Sequence, residues 1–199
     1  GTGFQNDEWY HVEAAEGYRQ TGKFVWWDFL NQEPRVHEDG SPALYTRAAH
    51  YTWQVAQSVN VFGWSEAAAR APSVLWYLVF IMVMYGFAYW WSSSTRTATL
   101  VTLAILLFDH VILHGRLVRM YSMLLTLGVA TFWTWIAAYS ASMVERINKK
   151  KLCMLIMLGI LLFAATVLTH TVFLLFGVLF GAFTYIEAIL YRIQHKRWH

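Results

Sequence analysis

Residues 72–91 read PSVLWYLVFIMVMYGFAYWW, a stretch of 20 residues without a charged side chain. At about 1.5 Å of rise per helical residue, this length crosses roughly 30 Å of hydrocarbon. A proline stands at the start, where its missing N–H costs least, and the Tyr-Trp-Trp cluster at the end is typical of a bilayer interface. This stretch predicts a transmembrane helix.

Four more apolar stretches follow, at 97–115, 120–144, 152–169 and 171–191. Only His170 separates the last two, which predicts a tight turn between antiparallel helices. The 199-residue chain is 57% hydrophobic and 14% charged, unlike a water-soluble domain. We therefore predict an all-α polytopic membrane protein, with about five transmembrane helices in a domain spanning residues 71–199.

The charges divide the chain at residue 70. Residues 1–70 have a net charge of −4 and residues 71–199 one of +7. If the loop after the first helix is cytoplasmic, eight Lys and Arg residues lie inside and two outside, which follows the positive-inside rule. We predict an integral membrane protein of the bacterial inner membrane, with residues 1–70 outside and the C-terminus cytoplasmic. The soluble segment has no basic stripe with interleaved aromatics, which argues against a nucleic-acid partner.

Residues 1–70 form a second domain, with apolar residues at helical spacing. The acids Asp7 and Glu8 favour the start of a helix that ends at Thr21-Gly22. An aromatic run at 24–30 is typical of extended structure, 32–42 is predicted as loop, and 44–59 as a second helix. Ser65 is expected to cap a short helix over 66–70. We predict short amphipathic helices on the outer bilayer surface, preceded in the full protein by a signal sequence or a further membrane helix.

Several polar residues are predicted at the outer membrane level. Asp109 lies within an apolar stretch, where an ionised carboxylate costs roughly 2.5–3.5 kcal/mol, so it is expected to face a polar cavity. Arg116 and Arg119 follow it, Arg70 begins the first span, and Asp7 and Glu8 open the outer domain. Carboxylates and arginines together suit the deprotonation of a nucleophile and the binding of a phosphate.

Three groups of residues have a specific order: DEWYHVEAA at 7–15 with TGK at 21–23, YTR at 45–47 with VFGWSEAAARAPS at 61–73, and Arg116, Arg119, Met120 and Tyr121. Together they resemble the GT-C glycosyltransferases that use polyprenyl-phosphate sugars, especially the family of protein O-mannosyltransferases and the lipid A aminoarabinose transferase. The chain departs from that family at Arg47-Ala48-Ala49, where a basic residue followed by prolines is common. The resemblance implies an inverting transferase acting on the outer face of the membrane, here in a partial chain.

The resemblance also implies roles for individual residues. Asp7 is the expected catalytic base or metal-proximal acid, with Glu8 beside it. The expected substrate-binding residues are Arg70 for the phosphate and Arg116, Arg119, Tyr121 and Asp109 at the second outer loop. No protein metal ligand is predicted, and a divalent metal ion stays open as a cofactor. The implied partners are a polyprenyl-phosphate-linked sugar, membrane lipids and, as an open alternative, other membrane subunits.

Other interpretations fit the same residues. Asp7 and Glu8 could be helix N-terminal acids, Asp109 an interhelical contact, and the arginines of the outer loop could reach lipid headgroups. A non-catalytic membrane subunit or scaffold would tolerate the loss of Asp7. A pigment- or cofactor-binding protein would use His110, His114 or His170 as axial ligands.

Overall fold

A computed structural model of the chain describes residues 4, 7–142 and 148–196; at 184, 185 and 187–196 it describes the backbone only. The helices in chain order are α1 Trp9–Thr21, α2 Ala49–Phe62, α3 Glu66–Ser92, α4 Thr95–Leu106, α5 Asp109–Arg116, α6 Tyr121–Ser142, α7 Lys149–Thr169 and α8 Phe173–Lys196. Between α1 and α2, β1 Trp27–Asp28 pairs with β2 Glu33–Pro34 in an antiparallel hairpin. The prediction of an all-α membrane protein is confirmed.

The first helix ends where the sequence predicts. Gly22 adopts a left-handed conformation with φ of 73°, and its N–H bonds to the carbonyl of Tyr18 at 2.8 Å. Within α1, Gly17 lies against the hairpin so closely that an added Cβ would stand 2.1 Å from the Val25 carbonyl oxygen. A glycine is therefore needed where α1 meets the extended segment.

The second helix begins later than the predicted residue 44, and the expected start is wrong. The Trp26 N–H donates to the Ala43 carbonyl at 2.9 Å, and the Tyr45 N–H to the Phe24 carbonyl at 2.8 Å. Residues 43–45 are thus extended and paired with 24–26, which confirms the extended run but not the helix at this point. Ala48 then turns the chain with a positive φ of 44° before α2 begins.

The third helix joins two layers that are named after their predicted positions. The outer layer consists of α1, α2 and the hairpin, and the membrane layer consists of most of α3 with α4–α8. The Ser65 hydroxyl accepts from the Ala68 N–H at 3.1 Å, so the predicted N-cap is confirmed. The helix then continues through Pro72 to Ser92, and the expected separate start at Pro72 is wrong. Pro72 cannot donate to the Ala68 carbonyl, and that oxygen accepts instead from the Ser58 hydroxyl at 2.6 Å. This bond from α2 allows one helix to replace the predicted two.

Within the described residues, three helices are long and apolar enough to cross a membrane, namely α3, α6 and α7. The predicted span at 97–115 is a pair, α4 and α5, bent by 70°, and it adds a fourth crossing if counted as one. In α8, which continues to Lys196, the apolar stretch within the described side chains is Phe173–Phe183. The five predicted stretches thus correspond to three full spans, a bent pair and α8. The end of the predicted span 120–144 lies outside the described residues.

The core of the molecule lies where the outer helices meet the membrane helices. It contains Val12 and Ala15 of α1, Tyr51, Val55 and Val59 of α2, Ala69 of α3, and Val118, Met120 and Met123 around the start of α6. These apolar side chains are nearly inaccessible to solvent. Their burial holds the start of α1 and the 117–121 segment against each other.

Candidate active site

Glu8 is a fully buried carboxylate that ties three segments together. Its Oε1 accepts from Val118 N–H at 2.8 Å and from Arg70 Nε at 3.2 Å, and its Oε2 accepts from Arg70 Nη2 at 3.2 Å. It makes no capping bond to α1. A buried ion pair with further hydrogen bonds to the same carboxylate is the arrangement in which such a charge is tolerated. Glu8 therefore connects α1 to α3 and to the segment before α6.

The segment 117–121 is held by a second buried contact. Ser73 Oγ donates to the Arg119 carbonyl at 3.3 Å and accepts from the Arg119 N–H at 3.4 Å. The Tyr51 hydroxyl lies 2.5 Å from the same Ser73 oxygen, and both side chains are fully buried. Burial raises the pKa of Tyr51, so this hydroxyl keeps its proton. The backbone of Arg119 is thereby fixed from both α2 and α3.

Asp7 faces the opposite way from its neighbour Glu8. Its carboxylate forms an ion pair with Arg119 Nη2, and its side chain is 55% exposed. The Arg119 guanidinium also lies 5.5 Å from the centre of the Tyr121 ring. Among the described residues, the buried Arg119 Nε has no hydrogen-bond partner. Three residues predicted from the sequence thus meet at one place.

These residues line a polar cleft of about 140 Å³ at the junction of the outer and membrane layers. Its walls are formed by Asp7, Tyr10, His11, Tyr45, Arg47, Arg119, Met120 and Tyr121. Arg47 is exposed and, in the described part of the chain, forms no ion pair with a carboxylate. Arg47 was not predicted as a site residue, although it ends the YTR stretch that resembles the family and begins Arg47-Ala48-Ala49, where the chain departs from the family pattern.

His11 forms the buried floor of this cleft. Its Nδ1 lies 2.9 Å from Thr52 Oγ1 and 3.2 Å from the Tyr45 hydroxyl, and its Nε2 lies 3.3 Å from Met120 Sδ. Burial, with the nearby Arg47 charge, lowers the pKa of His11 to about 3. The imidazole is therefore neutral and adds no charge to the cleft. Its contacts join it to residues 34 to 109 positions away along the chain, which no local pattern reveals.

Four of the predicted site residues do not line the cleft, namely Glu8, Arg70, Asp109 and Arg116. The Arg70 guanidinium is bound by Glu8 and also donates to Glu66 Oε2 at 3.2 Å. Asp109 and Arg116 are exposed on α5 and do not line the cleft. Of the six charged residues predicted to share one interface, the contacts described here connect Asp7, Glu8, Arg70 and Arg119.

An apolar groove of about 450 Å³ adjoins the cleft on its membrane side. It lies between α6 and the start of α8, lined by Tyr121, Leu124, Leu125, Gly128, Val129, His170, Val172, Phe173 and Phe176. Tyr121 belongs to both walls, so the groove and the cleft meet at this ring. Gly128 leaves room for the Phe173 ring, which would stand 2.7 Å from an added Cβ.

A third concavity, of about 260 Å³, adjoins the cleft and is called the outer pocket, because its residues belong to the segment 1–70 that is predicted to lie outside. Tyr10, Trp26, Leu44, Tyr45, Thr46 and Arg47 line it. It shares Tyr10, Tyr45 and Arg47 with the cleft. The three concavities thus form a series from the outer pocket through the polar cleft to the apolar groove.

The family model of dolichyl-phosphate-mannose-protein mannosyltransferases matches residues 23–198 of this chain. The chain belongs to this family. Its members are membrane glycosyltransferases, which agrees with the sequence-based prediction of a GT-C enzyme. Comparison with curated proteins and with solved structures gave no match.

The match to the mannosyltransferase family covers Arg47, Arg70, Arg119 and Tyr121 and begins after α1. The assignment of Asp7 and Glu8 therefore depends on the DEWYH resemblance and on their contacts with Arg119 and Arg70. Within residues 4, 7–142 and 148–196, no three His, Cys, Asp or Glu side chains cluster as metal ligands. Around Asp7 the described residues offer a guanidinium partner and no second carboxylate ligand.

Proposed function

We propose that this chain transfers a sugar from a polyprenyl-phosphate donor to an acceptor hydroxyl at the outer face of the membrane, with inversion at the anomeric carbon. The observation that carries the proposal is the Asp7–Arg119 pair in a polar cleft that meets an apolar groove at Tyr121. A polyprenyl-phosphate sugar has the same sequence of parts, a polar head joined by a phosphate to an apolar chain. Membership of the mannosyltransferase family supports the same donor class.

The donor phosphate is proposed to lie between Arg119 and Arg47. Guanidinium groups bind phosphate oxygens through paired, charge-assisted hydrogen bonds. The Arg119 side chain, which lines the cleft, and the Arg47 side chain, which has no carboxylate partner among the described residues, supply donors for this purpose. The isoprenoid chain then follows the groove between α6 and α8, whose walls are nearly all apolar.

The proposed reaction is a single displacement. The acceptor hydroxyl oxygen attacks the anomeric carbon from the face opposite the phosphate, and its proton passes to the Asp7 carboxylate. The bond from the anomeric carbon to the phosphate oxygen breaks, and its electron pair remains on that oxygen. Arg119 and Arg47 stabilise the charge that the leaving phosphate gains. A single displacement inverts the configuration at that carbon.

Glu8 and Arg70 are proposed to act by positioning Arg119. Glu8 fixes the Val118 N–H, one residue before Arg119, and Arg70 neutralises the Glu8 charge from α3. Asp109 and Arg116 stay predicted substrate contacts outside the cleft, and their substitution tests them separately from this mechanism.

The direct test is transfer of radiolabelled sugar from a polyprenyl-phosphate donor by the full-length protein in phospholipid nanodiscs. D7N is expected to lower kcat by about 10²–10⁴, because the acceptor proton loses its base. E38Q removes an exposed acid of the same domain and serves as the matched control. Undiminished transfer by Asp7→Ala removes Asp7 from the mechanism. Absence of both donor binding and transfer favours a non-catalytic scaffold.

The orientation is a separate proposal. We propose that residues 1–70 lie outside a bacterial inner membrane and that the C-terminus is cytoplasmic, as the charge distribution favours. A cysteine placed at residues 31–41, in a Cys153→Ser background, should react with a membrane-impermeant maleimide on intact spheroplasts. Protection of that cysteine until the membrane is opened would invert the topology.

A further inference from the structure

We propose that the outer pocket is the acceptor subsite and that it binds a carbohydrate ring, so that the acceptor is a glycan or glycolipid. This proposal rests on the transfer reaction proposed above and adds the class of its second substrate. The pocket is separate from the groove assigned to the donor chain, and the polar cleft lies between them.

The position of the pocket suits an acceptor. Tyr10, Tyr45 and Arg47 belong to its wall and to the wall of the cleft that contains Asp7. A ring in the pocket therefore has one edge toward the cleft, where a hydroxyl can meet the anomeric carbon and Asp7. The opposite edge faces the outside, where the rest of a glycan can continue from the exposed Leu44 and Thr46 rim.

The walls of the pocket suit a sugar. The Trp26 ring packs edge-to-face with Tyr10 at 5.2 Å and 84°, and with Tyr45 at 5.3 Å and 88°. These contacts fix the indole from two sides, so that it forms a rigid apolar surface. A sugar ring has apolar C–H faces, which pack on aromatic rings, and a polar rim, which needs hydrogen bonds. The Thr46 hydroxyl and the Arg47 guanidinium supply polar groups at the pocket edge.

The backbone around the pocket does not favour an extended peptide. A peptide that adds to a sheet edge needs free N–H and C=O groups along that edge. Here the N–H groups of Trp26, Ala43 and Tyr45 are bonded inside the domain, to the carbonyls of Ala43, Arg35 and Phe24. Two of the lining residues, Trp26 and Tyr45, thus have their N–H groups already used. The aromatic walls of the pocket therefore offer ring surfaces and not backbone donors.

The Tyr45 wall is also held rigidly. Its side chain is 5% exposed, and its hydroxyl lies 3.2 Å from His11 Nδ1. Tyr10, by contrast, is 43% exposed and forms the open side of the pocket. A sugar can therefore enter past Tyr10 without displacing a buried side chain.

The test is saturation-transfer-difference NMR on the full-length protein in phospholipid nanodiscs, which contain no sugar detergent. The probes are methyl α-D-mannopyranoside and, separately, a serine- and threonine-containing hexapeptide. Saturation of the sugar C–H protons is expected in the parent protein and should fall at least about fivefold in W26A. W53A removes an exposed indole on α2 that lines none of the three concavities, and it should leave the signal unchanged.

A second variant, L44W, tests the pocket independently in case W26A misfolds. Leu44 is 61% exposed at the rim of the pocket. In L44W the larger indole fills the pocket from this rim, so the variant should remove the sugar signal without disturbing the core. Release of polyprenyl phosphate by slow hydrolysis of the donor is measured without acceptor in the parent protein and in W53A, where it should be the same. That rate reports the donor side alone.

The outcomes separate the two proposals. Donor hydrolysis with no sugar saturation, or with Trp26-dependent saturation of the hexapeptide, overturns the carbohydrate acceptor and leaves the transferase intact. Sugar saturation without any donor turnover counts against the transferase and so against an acceptor role for the pocket. Sugar saturation that depends on Trp26 and Leu44, together with donor hydrolysis, supports both.

Discussion

Replacing Glu8 by alanine should lower the free energy of unfolding more than the replacement of any exposed residue, because Glu8 connects the outer layer to the membrane layer. The variant leaves the Val118 N–H buried without an acceptor, which costs about 1–3 kcal/mol. It also breaks a buried ion pair, for which about 3–5 kcal/mol is typical, although Arg70 is 22% exposed and keeps its contact with Glu66. Because the two effects overlap, we expect a total loss of about 4 kcal/mol.

E8Q and E66A are the matched comparisons. Glutamine keeps an oxygen for Val118 but loses the charge that Arg70 needs, so we expect about half the loss, ~2 kcal/mol. E66A removes the half-buried partner of the same arginine, four residues away on one helix, and should cost about 0.3–0.5 kcal/mol.

The measurement is thermal unfolding in nanodiscs, followed by tryptophan fluorescence. With about 2–4 °C per kcal/mol for a chain of this size, E8A should lower Tm by roughly 8–16 °C and E66A by about 1 °C. Donor KM in E8Q, measured well below its Tm, should rise because Arg119 is displaced. An E8A shift within about 2 °C of the E66A shift would refute the assignment of Glu8 as the connecting residue.

Three further variants test other contacts. G17A should cost about 1–3 kcal/mol in unfolding measurements, since its methyl group would meet the Val25 carbonyl, and an unchanged Tm would contradict this packing. His11 has its pKa lowered from 6.5 to about 3, so the unfolded state gains protons first as the pH falls. Stability should therefore drop by about 1 kcal/mol between pH 6.5 and 5.5, and H11Q should remove that slope. G128A should push Phe173 into the groove and raise KM for long-chain donors while sparing short-chain analogues; equal effects on both would contradict a chain in the groove.

The membrane part of the fold could be predicted because lipid imposes a simple requirement of about 20 apolar residues. The start of α2 and the continuity of α3 through Pro72 could not, because each depends on a partner distant in sequence. Residues 43–45 are extended because they pair with 24–26, and Pro72 sits inside a helix because Ser58 bonds the carbonyl left free. Local propensity contains neither contact.

The membrane level of the candidate site could be predicted from the sequence, but the helix faces that line the site could not. Charges in an apolar sequence indicate one level of the membrane, and the contact of Asp7 with Arg119 agrees with that prediction, whereas Tyr121 was named only through the family resemblance. The level does not indicate which face of a helix points toward the cleft. In α5, which follows a 70° bend, Asp109 and Arg116 are exposed and do not line the cleft. Arg47 escaped prediction because its place in the cleft depends on the pairing of the preceding segment.

The net charge of the cleft fits the charge of the donor phosphate both before and after the proposed transfer. Glu8 is neutralised by Arg70, and His11 is neutral, so the cleft contains Asp7 against Arg119 and Arg47, a net charge of +1. That matches the single negative charge of a phosphodiester donor. When the acceptor proton reaches Asp7, this carboxylate loses its charge and Arg119 loses its partner, which raises the net charge to +2. At the same moment the donor becomes a phosphate monoester with a charge of about −1.5 to −2. Proton transfer to Asp7 thus frees a guanidinium when the leaving group needs it, which explains why a base paired with an arginine suits this chemistry.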